Sequence, residues 1–388
     1  MELLVINSHP IQYFAPLYRQ ITADSNIQLN VLYCSDTGIE AQMDKGFGVK
    51  LAWDIPLLQG YPYHFLKNYS GKPSVNSFWG LINPGIIRFL FTNQKKYIWV
   101  HGWNSFTNVL VIIVGRLCGH KICLRAETPW NQELLKPSKL TALKQFYLKL
   151  LFLNVHYFFY IGSQNKLFYQ QLHIAEKKMV FVPYSVDNAF FTNAGLNSNK
   201  QKLSEHFVWY NGRNVILYSG KYIAKKNPLD LIEAFALLKR NNCVLVMVGE
   251  GELREKKKKK IEDYGMAGNI ILTGFINQSQ IPLYYAAADV FVMCSGLGET
   301  WGLSVNEAMN FGTPVVVSNV CGCGFDLVKS NENGFVFEEG NIEDLATCIS
   351  KCLSFNDEKR KSVAKLNKSI LKKYSYETII HSLENCLN

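Results

Sequence analysis

Short, uninterrupted apolar runs alternate along this chain with longer stretches in which apolar residues recur every three to four positions. In the first half the runs are LLVIN (3–7), QLNVLYC (28–34), YIWVH (97–101), KICLR (121–125), YFFYIG (157–162) and MVFVP (179–183). The second half repeats the arrangement with NVILYSG (214–220), CVLVMVG (243–249), NIILTG (269–274), DVFVMCS (289–295), TPVVVS (313–318) and GFVFE (334–338). Apolar runs of strand length without polar interruption belong to strands buried on both faces, as in parallel sheets flanked by helices. PLDLIEAFALLKR (228–240) typifies the helical pattern between them. The alternation runs through twice, so it predicts an α/β protein of two doubly wound, Rossmann-like domains facing across a cleft.

The stretch 188–207 is the richest in Asn, Ser and Gly and carries no strand pattern, which puts the domain boundary there. The expected domains are residues 1–190 and 191–372, with a closing helix at about 373–388 packing back on the first. In open α/β sheets ligands collect beyond the carboxyl ends of the strands. The loops after YSG, MVG, LTG and MCSGLGE form that rim in the second half. Residues 40–80 break the alternation: LAWDIPLLQGYPYHFL and GKPSVNSFWG carry aromatics, Pro and Gly without helical period. A long irregular insertion of this kind is more often functional than inert, and here it is expected to shape an acceptor pocket.

Composition narrows the classes. A length of 388 residues exceeds one ordinary core, and 48% hydrophobic with 13% aromatic residues excludes a disordered chain. The ten cysteines form no repeated pair spacing; Cys321-Gly-Cys323 is too tight for a zinc half-site and has no second half. They read as reduced thiols in a reducing compartment. No Asp-x-Asp occurs, so no metal is expected. The opening MELLVINSHP lacks the pattern of a signal peptide, and LLFLNVHYFFYIGSQN is broken by Asn154 and His156, short of the roughly 20 apolar residues of a span. A cytoplasmic location follows, with the inner face of the membrane as a possible workplace. The net charge of +10 is concentrated in residues 1–200, which hold 19 Lys+Arg against 10 Asp+Glu, whereas residues 201–388 hold 22 against 21. A basic front half attracts phospholipid headgroups or lipid pyrophosphates, or else merely solvates the surface. No nucleic-acid-binding motif accompanies it, so nucleic acid is not an expected partner. As a membrane helix, KLTALKQFYLKLLFL (139–153) fails on charge: Lys139, Lys144 and Lys149, five apart, point to three sides and give no cationic face.

Three constellations carry candidate chemistry. In GETWGLSVNEAMNFGTPVVVS (298–318), Ser304-Val-Asn-Glu307 fits a helix capping box. That leaves Glu299 unexplained, in a loop flanked by Gly298 and Gly302, where backbone could approach a ligand and free amides at the next helix would favour phosphate. In SGKYIAKKNPLDLIEAF, Lys221, Lys225 and Lys226 lie between a strand and a helix, either as point charges for a diphosphate or as ordinary loop lysines. In MVGEGELREKKKKK, Gly249 and Gly251 allow close approach to a ligand, and the five lysines read as a solvated helical face.

Taken together, YSGKYIAKKNPLDLIEAFALL, VLVMVGEGEL, ILTGFI, LYYAAADVFVMCS, GETWGLSVNEAMNFGTPVVVS and NGFVFEEGNIEDLA resemble, in order, the retaining glycosyltransferases of family 4, of the GT-B fold and the glycosyl transferases group 1 type. The likeness is close over residues 214–350 and looser elsewhere, with VPYSVD (182–187) resembling the close of the first domain and SHPIQYFAPLYR the start of a bacterial subset. It implies that Glu299 faces the donor sugar and Glu307 the ribose hydroxyls. Lys226 and Lys221 would then take the diphosphate, with Lys221 where most members have arginine. Gly220, Gly298, Thr300, Trp301, Gly302, Leu303 and Ser304 would line the sugar and diphosphate, and Gly249 and Phe275 the base. The first loop, Ser8-His9-Pro10-Ile11-Gln12, lacks the glycine pair of many members. Glu127, in LRAETPW, stands where many have a histidine. On the acceptor side the candidates are Glu127, His9, Tyr13, His101, Trp103 and Arg125. The resemblance implies a nucleotide-diphosphate sugar as co-substrate, UDP favoured over GDP as the commoner type, and no further cofactor. The expected acceptor is a glycan or lipid-linked glycan of bacterial surface polysaccharide, met at an anionic membrane. A sugar-nucleotide epimerase and a noncatalytic nucleotide-sugar-binding module are the alternatives.

Overall fold

A computed structural model describes residues 1–44, 46, 48–92, 94–136, 141–196 and 200–387. In chain order the strands of the first half are β1 (Glu2–Asn7), β2 (Gln28–Tyr33), β3 (Gln42–Asp44), β4 (Val49–Leu51), β5 (Tyr63–Phe65), β6 (Tyr97–His101), β7 (Lys121–Arg125), β8 (Tyr157–Tyr160) and β9 (Met179–Phe181). The second half adds β10 (Asn214–Ser219), β11 (Cys243–Val248), β12 (Ile270–Gly274), β13 (Val290–Met293), β14 (Val315–Ser318) and β15 (Gly334–Phe337). Every apolar run read from the sequence is a strand. The periodicity misses β5, an edge strand whose Tyr63, His64 and Phe65 are all exposed, and the antiparallel β3–β4 hairpin.

Two compact units result: residues 1–41, 55–184 and 376–388 form the first, and 42–54 with 185–375 the second. The first holds a parallel sheet in the order β5-β2-β1-β6-β7-β8-β9, and the second one in the order β12-β11-β10-β13-β14-β15. Both wind outward in two directions from their first strand, which is the doubly wound arrangement. Helices shield the faces. All six residues of β11 are buried, and a fully buried Val, Leu or Met contributes about 1.5–3 kcal/mol. The Pro228–Leu237 helix turns Leu231, Ile232, Ala234 and Phe235 inward, and Pro228 begins it where a missing N–H costs nothing.

The chain passes between units at Tyr184 and Ser185, ahead of the polar stretch read as the boundary. That stretch is helical, Asn188–Leu196 and Lys200–His206, and its residues 197–199 lie outside the described ones. The Tyr376–Leu387 helix belongs to the first unit, where the Tyr376 hydroxyl donates to the Tyr13 carbonyl at 3.2 Å. Of the insertion expected to form an acceptor pocket, residues 42–54 belong to the second unit. All ten cysteines are free.

Candidate functional site

In the second unit the winding reverses between β10 and β13, so the loops after these strands flank the crevice at their carboxyl ends. The loop after β10 ends in a single 3-10 turn, Ala224–Lys226, and the loop after β13 carries Glu299. Their side chains form an ion pair, Lys226 Nζ with a Glu299 carboxylate oxygen, at 17% and 13% exposure. Neighbouring contacts fix both loops: Gly296 N–H donates to the Lys225 carbonyl at 2.8 Å, and Lys225 Nζ to the Gly298 carbonyl at 3.4 Å. Lys225, not singled out above the other lysines, thus adds a second ammonium to the Glu299 loop. Lys221 is half-buried, its carbonyl accepting from the Tyr218 hydroxyl at 2.9 Å, and Gly220 N–H donates to Val248 O at 3.0 Å.

The capping box is not made. Gly302, at φ 102°, is itself the N-cap of the Leu303–Met309 helix, with no side-chain cap. Ser304 therefore falls inside the first turn, at the second helical position and not at the cap. Glu307 turns inward at 3% exposure and accepts from the Tyr285 hydroxyl at 2.6 Å; Tyr285 is a site neighbour no spacing rule suggested. Gly302 is required twice over: L side chains rarely adopt this φ, and a Cβ would lie 3.0 Å from Cys321 Sγ. The Cys321–Cys323 loop braces the Glu299 loop from behind. Gly322 N–H donates to Glu299 O at 3.3 Å, Cys323 N–H to Trp301 O at 3.1 Å, and Cys321 Sγ to Trp301 O at 2.9 Å. Thr300 touches this brace through its carbonyl, since a Cβ on Gly322 would fall 1.9 Å from it. Trp301 is buried, its indole N–H on Asn306 Oδ1 at 2.9 Å and its ring against Tyr374. Leu303 and Ser304 remain half-buried.

Gly249 and Gly251 correct an expectation. Their missing side chains admit backbone rather than leaving room for a ligand: a Cβ would fall 2.0 Å from Gly220 O at Gly249, and 2.6 Å from Tyr222 O at Gly251. Gly249 also donates to Gly274 O at 2.9 Å, just ahead of half-buried Phe275. The lysine run needs a correction too. Lys257 is fully buried with its Nζ 3.0 Å from the Tyr222 ring centroid, because one position of a packed helix must face inward. Burial pulls its pKa down to about 6.

In the first unit, β6 and β7 are neighbours with His101 opposite Arg125. Arg125 is 1% exposed, and none of its guanidinium nitrogens has a hydrogen-bond partner. Rings surround it, Tyr184 at 4.5 Å and Phe14 at 5.2 Å, and its ion partner Glu127 has Oε1 3.9 Å from Nε. The Glu127 side chain is 32% exposed. Burial raises its pKa, opposed by Arg125 and a Tyr184 hydrogen bond. His101 stacks on Trp99 at 5.0 Å and contacts the Tyr18 hydroxyl at 3.2 Å; burial, then Arg125, holds it neutral. His9 bonds Ser8 Oγ at 2.9 Å, and burial lowers its pKa to about 4. The Trp103 ring packs on Phe152 and Phe168 beside the hydrophobic core. The structure therefore brings Arg125, Glu127 and His101 together, whereas the contacts of Trp103 are those of a packing residue. Among the described residues no group of three or more His, Cys, Asp or Glu is placed to hold a metal.

Residues 199–369 match the glycosyl transferases group 1 family. An uncharacterized glycosyltransferase of Methanocaldococcus jannaschii is 31% identical over 172 residues, 44% of this chain and 44% of that protein. The chain thus spans less than half the length of that relative. The UDP-Gal:alpha-D-GlcNAc-diphosphoundecaprenol alpha-1,3-galactosyltransferase of Escherichia coli is 29% identical over 280 residues, 69% of this chain and 68% of that enzyme. The crystal structure of HepE from Anabaena in complex with UDP superposes with a TM-score of 0.75 at 16% identity, covering 100% of this chain and 99% of that one. The fold is therefore GT-B, two Rossmann-like units in one chain. The likeness to the glycosyl transferases group 1 family lies in residues 199–369, which make up most of the second unit.

Proposed function

We propose that the protein is a retaining glycosyltransferase that moves a sugar from a nucleotide-diphosphate donor to a glycan or lipid-linked acceptor in bacterial surface polysaccharide synthesis. The observation that carries this reading is the Lys226–Glu299 pair at the switch point of the second sheet. A diphosphate competes for Lys226 with Glu299, and an ammonium shared this way stabilises charge that grows as the leaving group departs. Lys221 and the Gly302–Leu303 amides add to it. Each charge-assisted hydrogen bond contributes roughly 1.5–3 kcal/mol. Glu299 then faces the sugar and Glu307, steadied by Tyr285, the ribose hydroxyls. The acceptor hydroxyl attacks the anomeric carbon on the face the diphosphate leaves. Its oxygen forms the new bond, the bond to the β-phosphate oxygen breaks, and the hydroxyl proton passes to that oxygen. No metal is assigned a part.

On the acceptor side Glu127, a third exposed and backed by Arg125, is the better candidate, because His101 is buried and its burial makes the imidazole a weak base. UDP is favoured: HepE was solved with UDP, and the E. coli relative is named for a UDP-galactose donor. That same name gives a diphosphoundecaprenol acceptor, which supports a lipid-linked one here.

Contact with an anionic membrane from the inner face of the cytoplasmic membrane is part of the proposal. Its support is the Thr141–Phe152 helix. No cationic face forms, and Lys139 lies outside the described residues, but an apolar stripe is exposed: Leu143 (62%), Phe146 (60%), Leu150 (50%) and, just beyond, Leu153 (75%). Lys144 and Lys149 flank it. Among the described residues no helix is long and apolar enough to cross a membrane.

The test is incubation with a panel of nucleotide sugars, with mass spectrometry of slow donor hydrolysis and of transfer to polyprenyl-diphosphate glycans. No turnover of any donor by folded protein, or release of an isomerised sugar nucleotide, overturns the reading.

A further inference from the structure

The chain leaves the first unit after Ala41, spends residues 42–54 in the second, and returns at Ile55. This excursion is tied to the loop after β12, more than 220 positions away. Asn277 Nδ2 donates to the Ala52 carbonyl at 2.8 Å, and Asp54 N–H to Asn277 Oδ1 at 3.3 Å. The Asp54 carboxylate accepts from Ser279 N–H at 3.2 Å and from its hydroxyl. Between these anchors the Trp53 ring meets Phe275 edge to face, centroids 6.0 Å apart at 69°. Gly46 reaches the loop after β11, since a Cβ on Gly251 would lie 2.9 Å from its carbonyl oxygen.

Core stability does not account for this arrangement. Ordering backbone costs conformational entropy at every residue fixed, while Ala52 and Asp54 are exposed and Trp53 only half-buried. The hairpin instead walls the carboxyl ends of β11 and β12, on the side of β10 away from β13. We infer that it is the outer wall of the donor's nucleobase site, with Trp53 and Phe275 as the ring surfaces that meet the base. This rests on the nucleotide-sugar donor proposed above. A diphosphate held at Lys226 directs its nucleoside along one flank of the β10/β13 switch, and a base is a flat π-surface for which an aromatic pair is a suitable partner. A base stacked on an aromatic ring is held more tightly than one left in water, and any base can stack because each has a π-face. Part of base recognition thus comes from residues outside the matched segment 199–369.

Calorimetric titration of the full chain with UDP, GDP and ADP tests this. Trp53→Ala is expected to raise the Kd for the preferred nucleotide about tenfold, equivalent to 1.4 kcal/mol. Trp53→Phe should stay within threefold of wild type. Trp79→Ala, in the first unit, should change nothing. In wild-type protein the nucleotide should slow amide hydrogen exchange across residues 42–54. A folded Trp53→Ala that binds within twofold of wild type overturns the wall while leaving the donor site standing. Wild-type protein that binds none of the three nucleotides overturns both. Should Trp53→Ala not fold, the exchange measurement decides, and unslowed exchange across the hairpin on nucleotide binding overturns the inference.

Discussion

Glu299 is expected to act on chemistry rather than on nucleotide affinity, because the proposed donor pose sets its carboxylate against the sugar and Lys226 against the diphosphate. Glu299→Ala should lower kcat at least 100-fold and leave the Kd for UDP within a few-fold, measured by donor turnover and calorimetry. A wild-type transfer rate in that variant would refute the assignment. Lys257 gives a second prediction, on stability. Its folded pKa, lowered to about 6, lies below the unfolded lysine value of about 10.4. Between these values the unfolded chain binds the extra proton, so this residue makes stability rise with pH from about 6 to 10. Lys257→Met removes the cost of desolvating the ammonium. Its Tm should exceed wild type at pH 7, on the order of 2–4 °C for each kcal/mol recovered, and the gain should shrink toward pH 10. A gain that is absent at pH 7, or that grows with pH, would contradict the buried placement.

At the scale of elements, the Glu299 loop holds its form through a second loop packed behind it. Gly322 is the point of closest approach, its would-be Cβ 1.9 Å from the Thr300 carbonyl. Backbone must move to admit any side chain there. Gly322→Ala is expected to destabilise the second unit by about 1–3 kcal/mol, the scale of local backbone strain. It should also lower kcat while Glu299 and Lys226 are chemically intact; urea melts and donor turnover report the two effects. A variant with wild-type stability and turnover would remove the brace from the argument. The Thr141–Phe152 helix offers a test at the same scale. Phe146→Glu with Leu150→Glu places two charges in the exposed apolar stripe, and co-pelleting with vesicles containing phosphatidylglycerol should fall at least fivefold, with the fold of the first unit retained by circular dichroism. Equal pelleting would take the stripe out of membrane binding.

At the scale of the whole molecule, sequence order and spatial membership differ at two places. The Tyr376–Leu387 helix comes last yet buries Ile379, Ile380, Leu383 and Leu387 in the first unit. A stop after Ser375 exposes the surface beneath it. Each buried aliphatic side chain contributes about 1.5–3 kcal/mol, so the truncated chain should lose the first unit's unfolding transition to lower temperature while the second unit still binds nucleotide. Calorimetry with and without UDP separates the two transitions. Loss of nucleotide binding alongside the first transition would show that the units do not hold their folds independently.

Periodicity determined what local burial dictates. A run such as CVLVMV has no polar face to offer solvent, so it becomes a strand covered on both sides, and its repetition makes two doubly wound sheets without reference to any partner. The loops at strand ends followed from that alternation, and the family resemblance singled out Lys226 and Glu299 within them. The tertiary structure alone decided the rest, because it depends on groups remote in sequence. Ser304 looked like a cap until Gly302 took the position in a conformation that leaves no trace in residue spacing. Lys257 looked solvated until the helix it lies on was packed against Tyr222. Gly251 looked open to a ligand until the chain's own backbone filled its space. Residues 42–54, short and without period, joined the second unit through Asn277 and Ser279. Local pattern fixes which segments must hide from water; which distant atoms they meet there is set only when the whole chain is folded.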